Sequence, residues 1–403
     1  MSRPLPGASP KLPARTAAPA PLWVAIGLAL GPAAVLGFGR FAYALLLPPM
    51  RADLGWSYAE AGTINAANAL GYLLGALVAA RAADRLGAKR CFTLGLLAAA
   101  VALLLSAATR DFTVLLALRL AAGVFGAVVF VSGGSLVALA GLGASPARAA
   151  LLLAVYFSGP GLGILLSGPV VGLSMGTAAA DWPAGWIAIG GAALFAAVAS
   201  LPALRRAPVR VSRHAADSAF RFRPLAPMFV AYGLFGAGYI AYMTFIVAFL
   251  RTRGLDEPQI AVFWALLGAA SVAAAFVWGK ILGRLSAGRG IFCVLVVVLA
   301  GAVLPLLAPG PIPAFGSAIL FGGSFLAVVT AVTHVARHAT PPSSWTRVIG
   351  ALTVAFALGQ CLGPVAAGAL SDSASGLRAG MLLSAALLAC AGAVSLRQRD
   401  AEG

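Results

Sequence analysis

The sequence predicts an all-α integral membrane protein with twelve transmembrane helices in two pseudo-symmetric six-helix bundles. Hydrophobic residues make up 61% of its 403 residues and charged residues only 10%, with a mean hydropathy of +0.97. A soluble globular protein needs far more polar surface than this composition supplies. Two further observations, a series of long apolar runs and an internal duplication, divide the chain into helices and bundles.

The two halves of the chain match each other at a constant offset of 199 residues. The segment Gly37–Tyr43 shares four of seven residues with Gly236–Tyr242. The same offset pairs further glycines, Gly55 with Gly254 and Gly123 with Gly322. Because the shift is held without a gap across several elements, it indicates duplication of one structural unit.

Apolar stretches of about 20 residues, long enough to cross the hydrocarbon core as a helix, recur along nearly the whole chain. They are continuous rather than alternating, which favours helices over a β-barrel. Spans 1 to 12 are predicted at about 22–47, 57–80, 91–108, 112–139, 149–173, 183–204, 227–250, 259–282, 290–308, 313–336, 345–369 and 376–396.

Polar segments between these spans predict the domain organisation. A proline-rich stretch without apolar periodicity predicts a disordered tail at the N-terminus. The longest polar break carries six arginines and separates two sets of six spans. The predicted units are a tail at 1–21, an N-terminal bundle at 22–204, a linker at 205–226, a C-terminal bundle at 227–396 and a tail at 397–403.

The placement of basic residues predicts the orientation. In a soluble protein the net charge of +17 would suggest nucleic-acid binding. With the N-terminus inside, however, 21 basic residues fall on the inner side and 5 on the outer side. This bias follows the positive-inside rule and predicts a multi-pass protein of the bacterial inner membrane with both termini cytoplasmic. Membrane lipid is the expected partner, nucleic acid is not, and we expect a monomer.

Several chemistries are not expected from this sequence. All four cysteines fall in predicted spans, so neither a structural disulfide nor a zinc site is expected. His334 and His338 share a helix face, but no nearby cysteine or carboxylate completes a metal site. Nothing groups a nucleophile with a base, so we expect no enzyme and no cofactor.

Sequence motifs then point to a family. The segment Ala80–Arg90 resembles the signature loop of the major facilitator superfamily, Gly-x-x-x-Asp-Arg-x-Gly-x-Arg/Lys-Arg/Lys, with Ala80 replacing the first glycine. The second half keeps a decayed copy in which Gly283 stands at the position of Asp84. Two further motifs are similar to those of the superfamily: Leu115-x-x-x-Arg119-x-x-x-Gly123, and the exporter-type Gly163-x-x-x-x-Gly168-Pro169-x-x-Gly172.

A narrower resemblance, to the YbfB/YjiJ branch, is carried by Gly37–Tyr43, Leu47–Met50 and Leu54–Ser57. The superfamily resemblance implies a central cavity lined by spans 1, 4, 7 and 10. It also implies an inner latch near the N-terminus of span 11, formed by Asp84 with Arg85, Lys89 and Arg90, and gating by Gly168 and Pro169 on span 5. We expect Asp84→Asn to keep the fold and to slow turnover.

Arg40 on span 1 and Arg119 on span 4 are the arginines that lie well inside the predicted spans rather than at their ends. Because such a residue costs at least about 2.5 kcal/mol in a bilayer, each is expected to face the bundle interior or a water-filled cavity. The predicted substrate-binding residues are Arg40, Tyr43, Arg119, Tyr239 and Tyr242. Competing interpretations remain: Arg40 could snorkel or bond backbone carbonyls, and Arg119 could hold helix ends together.

Acidic residues are absent from the middle of every predicted span. A cavity with arginine and no carboxylate attracts anions and repels cations. With the resemblance, this predicts a secondary active transporter that moves an organic anion, or a neutral polar or aromatic metabolite, by alternating access. Glu60 and His334 are candidates for relaying a coupled proton. The alternatives are a non-transporting membrane sensor of the same fold and a multidrug-type exporter.

Overall fold

The computed structural model describes residues 22–176, 178–208, 222–285, 287–341 and 344–398. The predicted disordered tail at 1–21 lies outside the described residues. So do positions 209–221 of the predicted linker and positions 399–403 of the second tail.

Twelve helical segments are long and apolar enough to cross a membrane, which confirms the predicted fold class. Within the described ranges the chain forms helices joined by short turns, with no β-strand. The spans are Leu22–Leu54, Tyr58–Leu86, Ala88–Ser106, Phe112–Ala140, Pro146–Ser174, Ala179–Arg206, Arg223–Thr252, Glu257–Leu282, Gly288–Leu307, Pro311–His338, Arg347–Ser371 and Leu377–Ser395.

Three of these spans are interrupted. Span 5 is divided into Pro146–Phe157 and Gly159–Ser174, and span 10 into Pro311–Gly322 and Ala327–His338. Span 1 contains a wide π-helical segment, Ala33–Phe41, between two α-helical parts. Wide turns of this kind occur often at functional sites.

Span 1 continues seven residues beyond its predicted end at 47. Prolines usually stop helices, but Pro48 and Pro49 lie inside the helical segment Tyr43–Leu54. Neighbouring helices make such prolines tolerable in membranes. The helix ends instead at Gly55, whose φ of +68° is the left-handed conformation that favours glycine. Its duplicated partner Gly254 has a φ of +87° after span 7.

Equivalent helix contacts in the two halves support the duplication. On span 4, a Cβ added to Gly123 would lie 2.1 Å from the carbonyl oxygen of Asn68 on span 2. On span 10, a Cβ added to Gly322 would lie 2.5 Å from the carbonyl oxygen of Leu267 on span 8. The two glycines are 199 residues apart, and so are Asn68 and Leu267, the residues that supply the two carbonyls. The same close packing of two helices, which only a small residue allows, therefore recurs in each half.

Candidate functional site

The π-helical segment of span 1 is held against span 5 by glycines. A Cβ added to Gly37 would lie 2.3 Å from the Cα of Gly163, so the two backbones touch. The wide turn is closed by a hydrogen bond from the Ala42 N–H to the Gly37 carbonyl, 3.0 Å long. This segment presents Arg40 to the interior of the protein, where only 4% of the residue is exposed.

Arg119 is fully buried on span 4. Its Nη1 donates to the carbonyl oxygen of Gly39, an acceptor in the π-helical segment. The guanidinium carbon lies 5.2 Å from the ring centre of Tyr43 and 5.3 Å from that of Trp186. These cation–π contacts and the hydrogen bond join spans 1, 4 and 6. All of these partners belong to the N-terminal bundle.

Tyr43 is also surrounded by its own bundle. Its hydroxyl donates to the carbonyl oxygen of Ala61 on span 2 at 2.9 Å. Its ring stacks on Trp186 with the ring centres 6.4 Å apart. In the other bundle, the hydroxyl of Tyr242 shares a hydrogen bond with Ser317, and its ring stacks on Phe321 at 3.9 Å. Each of the paired tyrosines thus packs within its own bundle, although against different spans. Substrate contact by them or by Arg119 stays a prediction.

Arg40, by contrast, lies between the two bundles. Its guanidinium carbon is 5.6 Å from the ring centre of Tyr72 on span 2. It is also close enough to Tyr239 on span 7 and Cys361 on span 11 to act on them electrostatically. The Nε and Nη2 groups are buried and have no hydrogen-bond acceptor among the described residues. A buried cation with free donors thus faces the C-terminal bundle.

Stacked aromatic rings of the C-terminal bundle lie opposite Arg40. The ring of Tyr239 lies nearly parallel to those of three phenylalanines, with ring centres 4.9 Å from Phe235, 5.9 Å from Phe325 and 5.5 Å from Phe356. We call Phe235, Tyr239, Phe325 and Phe356 the aromatic wall. Phe41, next to Arg40, meets this wall edge-on at Phe325, 5.8 Å away.

The sequence prediction included Tyr239 but not Tyr72 or the phenylalanines around it. A phenylalanine in a membrane span is ordinary apolar packing, so composition alone does not single it out. The spacing carries some signal, because Phe235 and Tyr239 are four apart on span 7, as are Phe321 and Phe325 on span 10. Residues four apart share one helix face.

Several polar residues within the spans bond helix to helix. Asn65 donates to the Thr244 hydroxyl across the two bundles at 2.6 Å, and Asn68 donates to the carbonyl of Arg119 at 3.1 Å. The Tyr156 hydroxyl donates to the Phe130 carbonyl at 2.8 Å. Gln360 Nε2 donates to the Tyr239 hydroxyl. Glu60, a candidate proton relay, accepts from the N–H of Ser57 at 2.8 Å in a helix-capping box.

The bundles are joined near the loop between spans 1 and 2, at the end of the molecule that we call the outer end. The carboxylate of Asp372, which follows span 11, accepts from two backbone N–H groups at the start of span 2: Tyr58 at 2.7 Å and Ala59 at 3.0 Å. A helix N-terminus favours such a negative charge. The helices touch beside it, since a Cβ on Gly368 would lie 2.3 Å from the Tyr58 carbonyl oxygen.

Spans 5 and 8 form a second junction between the bundles. The indole N–H of Trp264 donates to the Ser167 hydroxyl at 2.8 Å, and both side chains are buried. Gly168, the predicted gating residue, lies against the same indole, because a Cβ there would be 3.3 Å from its Cδ1. Pro169 follows inside the helix. We call the Asp372 and Trp264 contacts together the outer seam.

The predicted inner latch has a different environment. Asp84, Arg85 and Arg90 are exposed at the opposite, inner end of spans 2 and 3. The ammonium group of Lys89 donates to the carbonyl oxygen of Arg205 at 2.9 Å, at the end of span 6. That bond stays within the N-terminal bundle, and a charge network with span 11 stays a prediction. The described residues contain no cluster of three or more metal-ligating side chains.

Comparison with known proteins places the chain in a family. The model of the family described as "Uncharacterised MFS-type transporter YbfB" matches residues 32–396. A chloramphenicol resistance protein of Streptomyces lividans is 31% identical over 378 residues, which cover 88% of this chain and 92% of that protein.

Two solved structures show the same fold. One is a bacterial homologue of the human lysosomal transporter Spinster in an inward-facing, occupied conformation, with a TM-score of 0.71 and 18% identity over 94% of this chain and 98% of that one. The other is the human organic anion transporter MFSD10, with a TM-score of 0.63 and 19% identity over 93% and 99%. The chain belongs to the YbfB-type family of the major facilitator superfamily and is a multi-pass secondary transporter of a small molecule.

Proposed function

We propose that this transporter moves a small aromatic organic anion and binds it between Arg40 and the aromatic wall. One observation carries the proposal: Arg40 is 4% exposed between the bundles, and its buried Nε and Nη2 groups have no acceptor among the described residues. A carboxylate on the substrate would accept from them, and the wall would stack on the substrate's ring.

The energetics favour an anion. Placing an arginine within a membrane span costs at least about 2.5 kcal/mol, and each buried donor without an acceptor adds roughly 1 to 3 kcal/mol. A bound carboxylate offsets much of this cost, whereas a cation meets repulsion. The predicted spans contain no mid-span acidic residue that could neutralise Arg40 from within the protein.

Alternating access requires that the bundles separate at one end while they close at the other. The outer seam supplies two contacts that hold the outer end closed. The Asp372 carboxylate accepts hydrogen bonds from the start of span 2, and Trp264 bonds Ser167 next to the Gly168-Pro169 motif. We propose that opening to the outside breaks this seam and that the loop with Asp84, Arg85, Lys89 and Arg90 then closes the inner end.

The proposal includes the cellular setting. The excess of basic residues on the inner side supports a place in the bacterial inner membrane with both termini cytoplasmic. A single chain provides both bundles, which supports a monomer, and membership of a transporter family supports a protein that is not an enzyme. A coupled proton would balance the charge of the anion, and an imposed pH gradient across liposomes tests this coupling.

Export of neutral aromatic drugs is the second candidate. It is favoured by the similarity to a chloramphenicol resistance protein and by the Gly168-Pro169 motif. The aromatic wall suits either substrate, but only an anion uses the free donors of Arg40. A sensor of the same fold would bind the ligand without flux, so uptake into sealed liposomes separates it from both transporters.

The test uses purified protein in liposomes and compares uptake of benzoate, chloramphenicol and a lipophilic cation. We expect protein-dependent uptake of benzoate, inhibited by other aromatic carboxylates and lost in Arg40→Ala. Arg378→Ala removes the same charge at an exposed position and serves as the matched control. Uptake of lipophilic cations alone, or unchanged benzoate uptake in Arg40→Ala, would contradict the proposal.

A further inference from the structure

Gln360 on span 11 has a buried amide group that is only half used. The residue is 1% exposed, in a part of the span that faces the other helices. Its Nε2 donates to the hydroxyl of Tyr239 in the aromatic wall. Its Oε1 is buried and has no donor among the described residues. A buried carbonyl oxygen without a donor is costly, so its retention calls for an explanation.

Helix packing does not provide this explanation. The hydrogen bond to the Tyr239 hydroxyl requires only a donor at position 360, not the amide oxygen. An apolar side chain of similar volume would remove the unpaired oxygen altogether. Among the amides of span 2, the oxygen of Asn68 is not among the unpaired groups, whereas that of Asn65, which bonds Thr244 across the bundles, is unpaired like that of Gln360. Gln360 differs from Asn65 in that its partner is Tyr239 of the aromatic wall.

Gln360 is joined to the predicted binding site through Tyr239. Arg40 acts electrostatically on Tyr239 from one bundle, and Gln360 bonds the same hydroxyl from the other. Two unpaired groups of opposite kind therefore flank one tyrosine: the donors of Arg40 and the acceptor of Gln360. The rings of Phe325 and Phe356 lie beside that tyrosine.

We infer that the Oε1 of Gln360 accepts a hydrogen bond from the substrate, which is therefore an aromatic acid that also carries a hydroxyl or N–H donor. The inference rests on the proposed function and narrows its substrate class. Tyr239 acts as a positioning residue, because its hydroxyl holds the amide nitrogen and so turns the amide oxygen toward the substrate. A site that hydrogen-bonds a substrate hydroxyl discriminates strongly against the analogue that lacks it.

The experiment measures initial uptake of benzoate, the three hydroxybenzoate isomers and the three matching methoxybenzoates by wild-type protein in liposomes. We expect one hydroxybenzoate isomer to exceed benzoate by about tenfold, which is about 1.4 kcal/mol. The matching methoxybenzoate keeps the oxygen but loses the donor, and we expect it to fall to the benzoate level or below. This comparison decides the question in the wild-type protein, without any variant.

Variants then assign the effect to Gln360. In Gln360→Met, which keeps the chain length and loses the amide, we expect the ratio of hydroxybenzoate to benzoate uptake to fall toward one. In Tyr239→Phe we expect an intermediate ratio, because the amide loses its holding bond.

Failure of this inference is distinguishable from failure of the proposed function. Equal uptake of benzoate and all hydroxybenzoates, or equal preference for hydroxy and methoxy isomers, would overturn the role of Gln360 and leave aromatic anion transport standing. An unchanged preference in Gln360→Met would do the same. If the protein moves no aromatic acid at all, both proposals fall.

Discussion

The two bundles place different chemistry at positions that the duplication makes equivalent. Where the N-terminal bundle has Arg40, the C-terminal bundle has Tyr239, and where one has Arg119 the other has Ala318. The packing tyrosines Tyr43 and Tyr242 are kept in both. The duplicated unit therefore retains this pair of tyrosines, while position 40 and its equivalent have diverged into a cation on one side and an aromatic ring on the other. Position 119 has diverged as well, although Arg119 packs within its own bundle.

A second contrast lies within the N-terminal bundle itself. Arg40 and Arg119 are both buried arginines in spans, but their surroundings differ. Both have a buried Nε and Nη2 without an acceptor among the described residues. Arg119, however, also has the Gly39 carbonyl and two aromatic rings of its own bundle as partners, whereas Arg40 faces the other bundle. Burial alone thus does not distinguish the two arginines. We assign substrate binding to Arg40 because it faces the other bundle.

The strongest way to break this comparison is Arg40→Ala. We expect initial uptake at low substrate concentration to fall by about 10- to 100-fold, since charged hydrogen bonds to the substrate are lost. The thermal unfolding midpoint in detergent should stay the same or rise, because an uncompensated buried charge is removed. Arg40→Lys should be intermediate, since it keeps the charge but not the planar fork of donors. A lowered unfolding midpoint in Arg40→Ala would instead indicate a packing role.

Arg119→Ala should give the opposite pattern. It leaves the Gly39 carbonyl without its donor and opens a cavity beside Tyr43 and Trp186. We expect a loss of stability of about 2 to 5 kcal/mol, measured as a lower unfolding midpoint. Protein that remains folded should keep its affinity for the substrate. Unchanged stability together with lost affinity would instead indicate that Arg119 binds the substrate.

The outer seam sharpens the comparison by testing how the bundles close on each other. Asp372→Asn weakens the carboxylate contact with the start of span 2, and we expect about a fivefold shift toward the outward-open state. Thiol labelling of a cysteine placed at the outer end of span 2 measures the shift. Asp111→Asn is the matched control, because Asp111 caps the N-terminus of span 4 within its own bundle. Equal shifts in both variants would mean that the seam carries no special role.

The smallest expected effect concerns Trp264 and Ser167. Trp264→Phe and Ser167→Ala each remove the buried hydrogen bond between spans 8 and 5. A double-mutant cycle on the closed-to-open equilibrium should show a coupling of about 1 kcal/mol. Strictly additive effects would show that the bond does not distinguish the two states.

Much of this architecture could be predicted from the sequence. Twelve spans follow from apolar length, and the duplication predicts equivalent contacts such as those of Gly123 and Gly322. Arg40 could be singled out because a charge within a span is rare and costly. These signals are local, or they depend on one constant offset along the chain.

The remaining features depend on tertiary contacts that no local pattern reveals. The π-helical turn at Ala33–Phe41 arises where span 1 packs on Gly163, and no propensity predicts it. The Asp372 contact joins residues more than 300 positions apart, as its separation of 314 from Tyr58 shows. The different surroundings of Arg40 and Arg119 likewise depend on contacts between spans that the sequence does not show.

The central claim is that Arg40, and not Arg119, meets the substrate between the bundles. Cysteine accessibility tests it directly in a variant that keeps Cys361, which lies close to Arg40, and lacks Cys91, Cys293 and Cys390. We expect benzoate to slow the labelling of Cys361 by a small charged thiol reagent, and we expect this protection to be lost in Arg40→Ala and kept in folded Arg119→Ala. Protection that persists in Arg40→Ala, or that is lost only in Arg119→Ala, would contradict the account.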